Sequence, residues 1–288
     1  MTTFAPFLDR LIDLALEEDL AGGDVTTLAT VDPGTRATAE VVAKEPMVVS
    51  GLVPFVRVFA RIDPTIEIEP LVNEGAEVES GDVVVRLSGD ARSLLVGERP
   101  ALNFLMRLSG VATLTHAMAN ALREHPHTRL VDTRKTTPGW RQLEKAAVRA
   151  GGGANHRAGL FDGVLIKDNH IAAAGGIQQA VARAQKAAHH LLKIEVETTT
   201  LDEVQQALEA GADVLLFDNM DNALLAKAVA KVRDHEKTTG RKVVLEASGN
   251  MTIDRLPKVA ALGIDLVSVG ALTHGARSVD LSMRLKLS

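Results

Sequence analysis

Residues 193–219 read KIEVETTTLDEVQQALEAGADVLLFDN. Apolar residues form short runs at both ends of this stretch, whereas Leu201–Ala210 has the spacing of an amphipathic helix. A strand, a helix and a second strand in this order are typical of a βαβ unit, in which the two strands are parallel neighbours in one sheet. The stretch therefore predicts an α/β fold.

The same alternation extends through the second half of the chain. Six short runs rich in Val, Ile and Leu are separated by helical patterns, one of which is 178–189. Right-handed crossovers would curl such a sheet into a barrel, and a flat doubly wound sheet is the alternative. The six runs are RLVDT (129–133), GVLIKD (163–168), KIEVET (193–198), VLLFDN (214–219), VVLEAS (243–248) and LVSVGA (266–271).

The first half of the chain has a different pattern. An amphipathic helix is predicted around Phe7–Leu14 and is followed by the stop signal AGGD. Short β-rich runs between Pro and Gly turns then predict a small sheet domain over 38–87, in which 72–89 is a tight β-hairpin. A helix is predicted over 97–122, interrupted near Ser109-Gly110, and we place the domain boundary at this break.

Composition excludes several classes of protein. The 288 residues are 46% hydrophobic and 24% charged, as in ordinary globular proteins, and no apolar run approaches the length of a membrane span. The absence of Cys excludes disulfides and thiolate chemistry and fits the cytoplasm, where we expect the protein. The net charge of −5 argues against binding to nucleic acid or to a membrane surface.

Polar or small residues follow every one of the six predicted strands. In a parallel barrel the carboxyl ends of the strands carry the chemistry, so six polar ends together favour a functional site over six ordinary turns. The glycine-containing loops after the last two strands suit phosphate, which backbone N–H groups bind in such barrels. The residues delivered are Thr133, Arg134 and Lys135; Lys167 and Asp168; Glu195 and Glu197; Asp218 and Asn219; Glu246, Ser248, Gly249 and Asn250; and Gly270 and Ala271.

Positive charge is concentrated in one part of this acidic chain. Residues 129–167 contain eight Lys or Arg and three Asp or Glu. Arg141, Lys145 and Arg149 have helical spacing and are interpreted as a solvated helix face. Other cations lie at strand ends or beside the Gly triplet that precedes Asn155, so they should converge and require a multiply negative ligand. These converging cations are Arg134, Lys135, His156, Arg157 and Lys167.

These segments resemble the quinolinate phosphoribosyltransferase family, also called nicotinate-nucleotide pyrophosphorylase (carboxylating). The resemblance spans 97–274 and is carried by GERPALNFLMRLSG, DTRKTTPG, KAAVRAGGGANHRAGLFDGVLIKDNHI, IEVET, GADVLLFDNM, EASGN and SVGALTH. It implies transfer of phosphoribosyl from phosphoribosyl pyrophosphate to quinolinate with Mg²⁺, which gives nicotinate mononucleotide, pyrophosphate and CO2 for NAD biosynthesis. It also implies an N-terminal α/β sandwich (1–108), joined by 275–288, and an incomplete α/β barrel (109–274).

The resemblance also implies a role for each site residue. Two arginines suit the two carboxylates of quinolinate, since each guanidinium can bond bidentately. The residues implied to bind quinolinate are Arg99 from a second subunit of a homodimer or an oligomer of dimers, Thr133, Arg134, Lys135, His156, Arg157 and Lys167. Those implied to bind phosphoribosyl pyrophosphate are Lys135, Lys167, Glu197, Asp218, Ser248, Gly249, Asn250, Val269, Gly270, Ala271 and His274. Of these, Lys135, Lys167, Glu197 and Asp218 are implied to be catalytic, and Glu197 and Asp218 to hold Mg²⁺, directly or through water.

Other functions are compatible with parts of this pattern. Lys167 at a strand end is where an aldolase of barrel fold would form a Schiff base. A module that binds a phosphorylated ligand without turnover would also use the glycine loops, although both acids and every cation are still in place. A homologue of the family associated with molybdenum transport shares the long basic motif.

Overall fold

The computed structural model describes residues 5–288, which divide into two compact units. The first unit comprises the described chain up to His116, Thr137–Gly152 and Leu272–Ser288. The second comprises Ala117–Thr136 and Gly153–Ala271. The chain therefore contributes to each unit in more than one segment.

The described chain forms eleven helices and twelve strands. The helices are α1 (Ala5–Leu20), α2 (Val25–Thr30), α3 (Leu52–Ile62), α4 (Ala91–Asn120), α5 (Arg141–Ala150), α6 (Asp168–Ala174), α7 (Ile177–Ala187), α8 (Leu201–Ala210), α9 (Asn222–Thr239), α10 (Leu256–Ala260) and α11 (Ala271–His274). The strands are β1 (Arg36–Ala43), β2 (Met47–Val48), β3 (Glu67–Pro70), β4 (Glu77–Val78), β5 (Val83–Asp90), β6 (Arg129–Val131), β7 (Val164–Ile166), β8 (Ile194–Thr198), β9 (Val214–Asp218), β10 (Val244–Ser248), β11 (Leu266–Ser268) and β12 (Leu281–Leu287). From residue 5 onward, none of these helices combines the length and apolar character needed to cross a lipid bilayer.

The first unit is built on a four-stranded antiparallel sheet in the order β12-β1-β5-β3. Its central strand β1 pairs with β12 on one side and with β5 on the other, so residues from opposite ends of the sequence share one sheet. The hairpin predicted over 72–89 is wrong. Strand β4 pairs with β2, and β5 pairs with β1 and β3, so the turn at Gly81 does not connect paired strands.

The sequence pattern was sufficient to predict one helix of the first unit and insufficient to predict another. The predicted opening helix is confirmed as α1, which buries Leu8 and Ile12 and leaves Leu14 exposed. Helix α3 was not predicted, because the whole of 38–87 was interpreted as β-rich runs between Pro and Gly turns. Its apolar side chains nevertheless recur at helical spacing, and Phe55 and Phe59 are fully buried in the core of this unit.

The predicted break at Ser109-Gly110 is also wrong, because α4 runs without interruption through both residues. Gly110 is required for packing and does not end the helix. A Cβ atom at Gly110 would lie 1.9 Å from the backbone oxygen of Arg277, so the C-terminal segment passes too close to this helix for any side chain. Gly110 therefore marks a close approach of two backbones.

We expect Gly110→Ala to lower the free energy of unfolding by about 3 kcal/mol, since the helix and the segment at Arg277 must move apart. Gly22→Ala is the matched control, because no atom lies within 4 Å of the Cβ position there. Urea denaturation followed by circular dichroism measures both. Equal stability of the two variants would contradict the close approach.

The second unit contains the predicted six-stranded parallel sheet, in the order β6-β11-β10-β9-β8-β7. Strands β6 and β7 form its two edges, so the barrel is incomplete, as the resemblance implied. Fully buried apolar side chains, such as Val196, Leu215 and Leu245, occupy alternate positions along the central strands. The predicted α/β architecture is thus confirmed.

Helix α8 shows how the stretch quoted first folds locally. The Thr200 hydroxyl accepts a hydrogen bond from the N–H of Glu203, and the Glu203 carboxylate accepts one from the Thr200 N–H, which forms a capping box. Gly211 ends the helix at φ +86°, a conformation that favours glycine. These local signals fix the length of α8 and so the place where β8 ends and β9 begins.

Candidate active site

Acidic side chains line one face of the parallel sheet. Glu195 and Glu197 lie two residues apart on β8, as do Glu246 and Ser248 on β10, so each pair points to the same face. The residue of β9 that pairs with Glu197 also pairs with Glu246, and Asp218 pairs with Ser248. Strand register therefore places all five side chains on a common face, with Glu197, Asp218 and Ser248 at or next to the carboxyl ends of their strands.

Two of these acids converge on a histidine. The Nε2 atom of His156 lies 3.2 Å from Glu195 Oε2 and 3.3 Å from Glu246 Oε2. Burial raises the pKa of Glu195, and so does the charge of Glu246, whereas His156 lowers it. Burial also opposes a charge on His156, but the two carboxylates outweigh it and raise the pKa of this histidine to about 10. His156 and Glu195 thus share an additional proton at neutral pH, which lies between Nε2 and the carboxylate because Nδ1 accepts the N–H of Arg157.

The loop that carries His156 is fixed by a third buried acid. One oxygen of Asp132, which directly follows β6, accepts a hydrogen bond from the His156 N–H at 2.8 Å, and the other accepts one from Asn155 Nδ2 at 2.8 Å. The N–H of Arg157 donates to His156 Nδ1 at 2.8 Å, and Arg157 Nη1 donates to the Gly163 carbonyl at 3.0 Å. The segment after the Gly triplet is therefore held in one conformation.

The two arginines predicted to bind carboxylates influence one another. Partial burial and the positive charge of Arg134 lower the pKa of Arg157, while the charges of Glu195 and Asp162 oppose this shift. Like charges this close are tolerated where an anion neutralises them. The predicted convergence of Arg134 and Arg157 in the second unit is thus supported by their electrostatic interaction.

A second ionic group lies beside this cluster. Lys167 Nζ forms an ion pair with Glu197 Oε2, which joins the loop after β7 to β8. Asp218 Oδ2 accepts a hydrogen bond from Asn219 Nδ2 at 2.7 Å. Each carboxylate has a second oxygen, and such oxygen donors suit Mg²⁺, which binds one or two carboxylates together with substrate phosphates. The donor set of Glu197 and Asp218 thus fits the metal that the resemblance implies.

The loops after β9 and β10 contact each other. Asn219 and Asn250 have positive φ angles of 55° and 51°, and Asn250 Nδ2 donates to Asn219 Oδ1 at 3.2 Å. Gly249 has φ +90°, and a Cβ there would lie 2.1 Å from Asn219 Oδ1. Arg255 Nη1 donates to the Gly249 carbonyl at 3.0 Å. These bonds shape the predicted phosphate loop and give Asn250 a structural contact.

The remaining predicted residues are distributed over both units. The Thr133 hydroxyl accepts a hydrogen bond from the N–H of Lys135 at 3.0 Å in the loop after β6. Val269 donates its N–H to the Val131 carbonyl, which fixes the start of the loop through Gly270 and Ala271. Arg99 and His274 are exposed residues of the first unit.

The predicted solvated face of α5 is only partly correct. Arg141, Lys145 and Arg149 lie on this helix as expected, but Lys145 is 4% exposed and all three have interactions within the described chain. Residue spacing locates a helix face, whereas the packing of that face depends on distant segments.

Glu195, Glu246 and Asp132 belong to the cluster, although they were not among the predicted site residues. Glu195 and Glu246 were recognised at strand ends but not assigned a role. The positions of Glu195 and Glu246 could have identified them as site residues, because central strands of a parallel sheet are buried on both faces and are normally apolar. An acid inside such a strand therefore indicates a specific partner.

The shared proton predicts a pH dependence of stability. The pKa of His156 is about 10 in the folded protein against 6.5 for an ordinary histidine, so the folded state binds this proton more tightly. Its contribution is complete below about pH 6.5 and is lost as the pH rises through about 10. We expect the melting temperature of the wild type to fall more steeply from pH 7 to 10 than that of His156→Gln, measured by circular dichroism. Parallel curves would contradict the shared proton.

Comparisons with known proteins identify the family of this chain. The N-terminal domain of quinolinate phosphoribosyl transferase matches residues 24–109, and its C-terminal domain matches 111–284. A probable nicotinate-nucleotide pyrophosphorylase [carboxylating] of Bacillus subtilis is 41% identical over 98% of this chain and 94% of its own length. One from Synechocystis is 42% identical over 99% of this chain and 95% of its own length.

Solved structures show the same relationship. NadC from Streptococcus pyogenes is 39% identical with a TM-score of 0.92, and each chain covers 100% of the other. The nicotinate-nucleotide pyrophosphorylase from Francisella tularensis is 39% identical with a TM-score of 0.90, covering 98% of this chain and 96% of its own. The chain therefore belongs to the quinolinate phosphoribosyltransferase family.

Proposed function

We propose that this chain transfers the phosphoribosyl group of phosphoribosyl pyrophosphate to quinolinate and releases pyrophosphate and CO2, forming nicotinate mononucleotide for NAD synthesis. The observation that carries the proposal is the electrostatic interaction of two cations, Arg134 and Arg157, in the same unit as the buried acids Glu195 and Glu246. The two cations suit a dianionic substrate. The acids suit the electron-poor C1′ carbon of the ribose with which that dianion reacts.

The dicarboxylate end of the site consists of Arg134 and Arg157. Each guanidinium offers a planar pair of N–H donors that matches one carboxylate, which the ammonium of a lysine cannot do. Arg134 and Arg157 lose hydration when the substrate binds, and their ion pairs with its two carboxylates compensate for this cost. A pyridine 2,3-dicarboxylate presents its carboxylates on neighbouring carbons, as this pair requires.

The phosphoribosyl end consists of the acids and lysines at the ends of β6 to β9, with the loop Ser248–Asn250 for the 5′-phosphate. Departure of pyrophosphate from C1′ builds positive charge on the ribose, which the carboxylates of Glu197 and Asp218 stabilise. Lys135 and Lys167 neutralise the leaving pyrophosphate. Glu197 also holds Lys167, so the cation and the anion occupy fixed positions before substrate binds.

Mg²⁺ supplies charge neutralisation of the pyrophosphate when bound, and Glu197 and Asp218 are the residues that would hold it. The chain's own groups orient the two substrates for in-line attack by the ring nitrogen. After ribosylation the pyridine nitrogen is cationic and stabilises the carbanion left by CO2, which then takes a proton from water, so decarboxylation requires no protein base. We also propose that the protein is a homodimer in the cytoplasm and that Arg99 of the partner subunit completes the quinolinate site.

One assay tests the reaction. The wild type should release pyrophosphate and CO2 in equal amounts, dependent on quinolinate, phosphoribosyl pyrophosphate and Mg²⁺. An aldolase is the second candidate, but Lys167 is engaged by Glu197 and is not a free nucleophile. Covalent labelling of Lys167 by borohydride and a carbonyl substrate, without pyrophosphate release, would overturn the transferase proposal.

A further inference from the structure

The least explained group of the second unit is Glu246. Its side chain is 1% exposed inside a central parallel strand, and neither of its carboxylate oxygens has a hydrogen-bond partner within residues 5–288. Its charged contact is the Nε2 atom of His156 at 3.3 Å. Burying a carboxylate costs several kcal/mol unless partners compensate, so this strand position must serve a purpose.

A metal site is the first possibility to consider. One ligand atom each from His156, Glu195 and Glu246 lie within 4.8 Å of one another. A histidine that binds a metal through Nε2 carries its proton on Nδ1 and donates it to an acceptor. Here Nδ1 faces the N–H of Arg157 at 2.8 Å and accepts from it, so Nε2 bears the proton and points to the carboxylates. The geometry favours a hydrogen-bond donor over a metal ligand.

Both ring nitrogens of His156 are consequently occupied by the protein. The ring connects the acids of β8 and β10 to the backbone N–H of Arg157, while Asp132 holds the backbone N–H of His156 itself. Buried acids from three strands thus converge on one short loop. The guanidinium of Arg157 donates a hydrogen bond to the Gly163 carbonyl, so the side chain of Arg157 is held as well as its backbone N–H.

We propose that Glu246, with Glu195, is a positioning residue for the dicarboxylate substrate: it orients His156, and through the ring it holds Arg157 in place to bind a carboxylate. The inference rests on the proposed function, in which Arg157 contacts quinolinate. It assigns His156 an indirect role. The groups proposed to bind phosphoribosyl pyrophosphate bond other residues. Glu197 bonds Lys167, Asp218 bonds Asn219, and the Gly249 carbonyl accepts from Arg255.

The test uses Glu246→Gln in the full chain, which keeps the shape and removes the charge. Binding of quinolinate and of benzene-1,2-dicarboxylate is measured by calorimetry without phosphoribosyl pyrophosphate, and steady-state kinetics follow. We expect both Kd values to rise about tenfold, which corresponds to about 1.4 kcal/mol, with the KM of phosphoribosyl pyrophosphate changed less than about twofold. Benzene-1,2-dicarboxylate lacks the ring nitrogen, so it reports the carboxylate contacts alone.

Glu236→Gln is the matched control, since Glu236 is a buried acid of the same unit that bonds Arg233 and Lys242. It should lower stability without changing either dicarboxylate Kd. His156→Gln is the second variant in case Glu246→Gln does not fold, and it should weaken dicarboxylate binding in the same way.

Unchanged dicarboxylate affinity in the folded variants, or equal losses for both substrates, would overturn the inference. So would one equivalent of divalent metal in the purified wild type that is lost from Glu246→Gln, because the three groups would then be metal ligands. A wild type that binds neither dicarboxylate would instead contradict the proposed function, which distinguishes the two failures.

Discussion

Arg157→Ala should raise the KM of quinolinate about 100-fold and leave the KM of phosphoribosyl pyrophosphate within about twofold. The guanidinium is proposed to form two charge-assisted hydrogen bonds to one carboxylate, and their loss costs about 3 kcal/mol. The effect should be confined to one substrate, because Arg157 lies on the loop fixed by Asp132 and not on the loops after β9 to β11. Steady-state kinetics with each substrate varied in turn measure this difference.

Two variants complete this experiment. Arg157→Lys keeps the positive charge but lacks the planar pair of N–H donors, so it should recover only part of the quinolinate affinity. Arg183→Ala, on the exposed side of α7, is the control and should behave as wild type. If Arg157→Ala weakened both substrates equally, the division of the site between Arg157 and the acids would have to be abandoned.

Glu197→Gln should lower kcat by about 10²- to 10³-fold at saturating substrates, the usual cost of removing one group that stabilises transition-state charge. The variant loses the carboxylate proposed to face the ribose and releases Lys167 from its ion pair. Pyrophosphate release measured with excess of both substrates and Mg²⁺ reports this step. The KM of quinolinate should change far less than kcat.

The control for this substitution is Glu209→Gln, which alters an exposed acid of α8 whose hydrogen-bond partner among residues 5–288 is Gln205. It should leave kcat unchanged within about twofold. Should Glu197→Gln retain full kcat but raise both KM values, Glu197 would be a binding group and not a catalytic one.

Local signals in the sequence were sufficient to predict the strands and helices of the second unit. Each βαβ segment carries its own caps and its own apolar runs, as Thr200 and Gly211 show for α8, so strands and helices could be placed to within a few residues. The cationic and acidic strand ends could be identified for the same reason. Parallel strands place their carboxyl ends at one edge whatever the details of packing.

Long-range contacts explain what could not be predicted. Gly110 was interpreted as a helix break because nothing near it in sequence reveals the approach of Arg277. The hairpin at Gly81 failed because strand partners are chosen by the whole sheet. Glu195 and Glu246 received no role because their significance depends on His156, which reaches them from a loop between other elements.

The pairing of β12 with β1 has a consequence for folding during synthesis. The ribosome produces β1 early and β12 only after every strand of the second unit has emerged, and domains generally fold as units while the chain grows. The parallel sheet can therefore form first, whereas β1 keeps an unpaired edge until translation reaches residue 287. Exposed strand edges promote aggregation, so the nascent chain is vulnerable at this edge of β1 while the second unit is being synthesised.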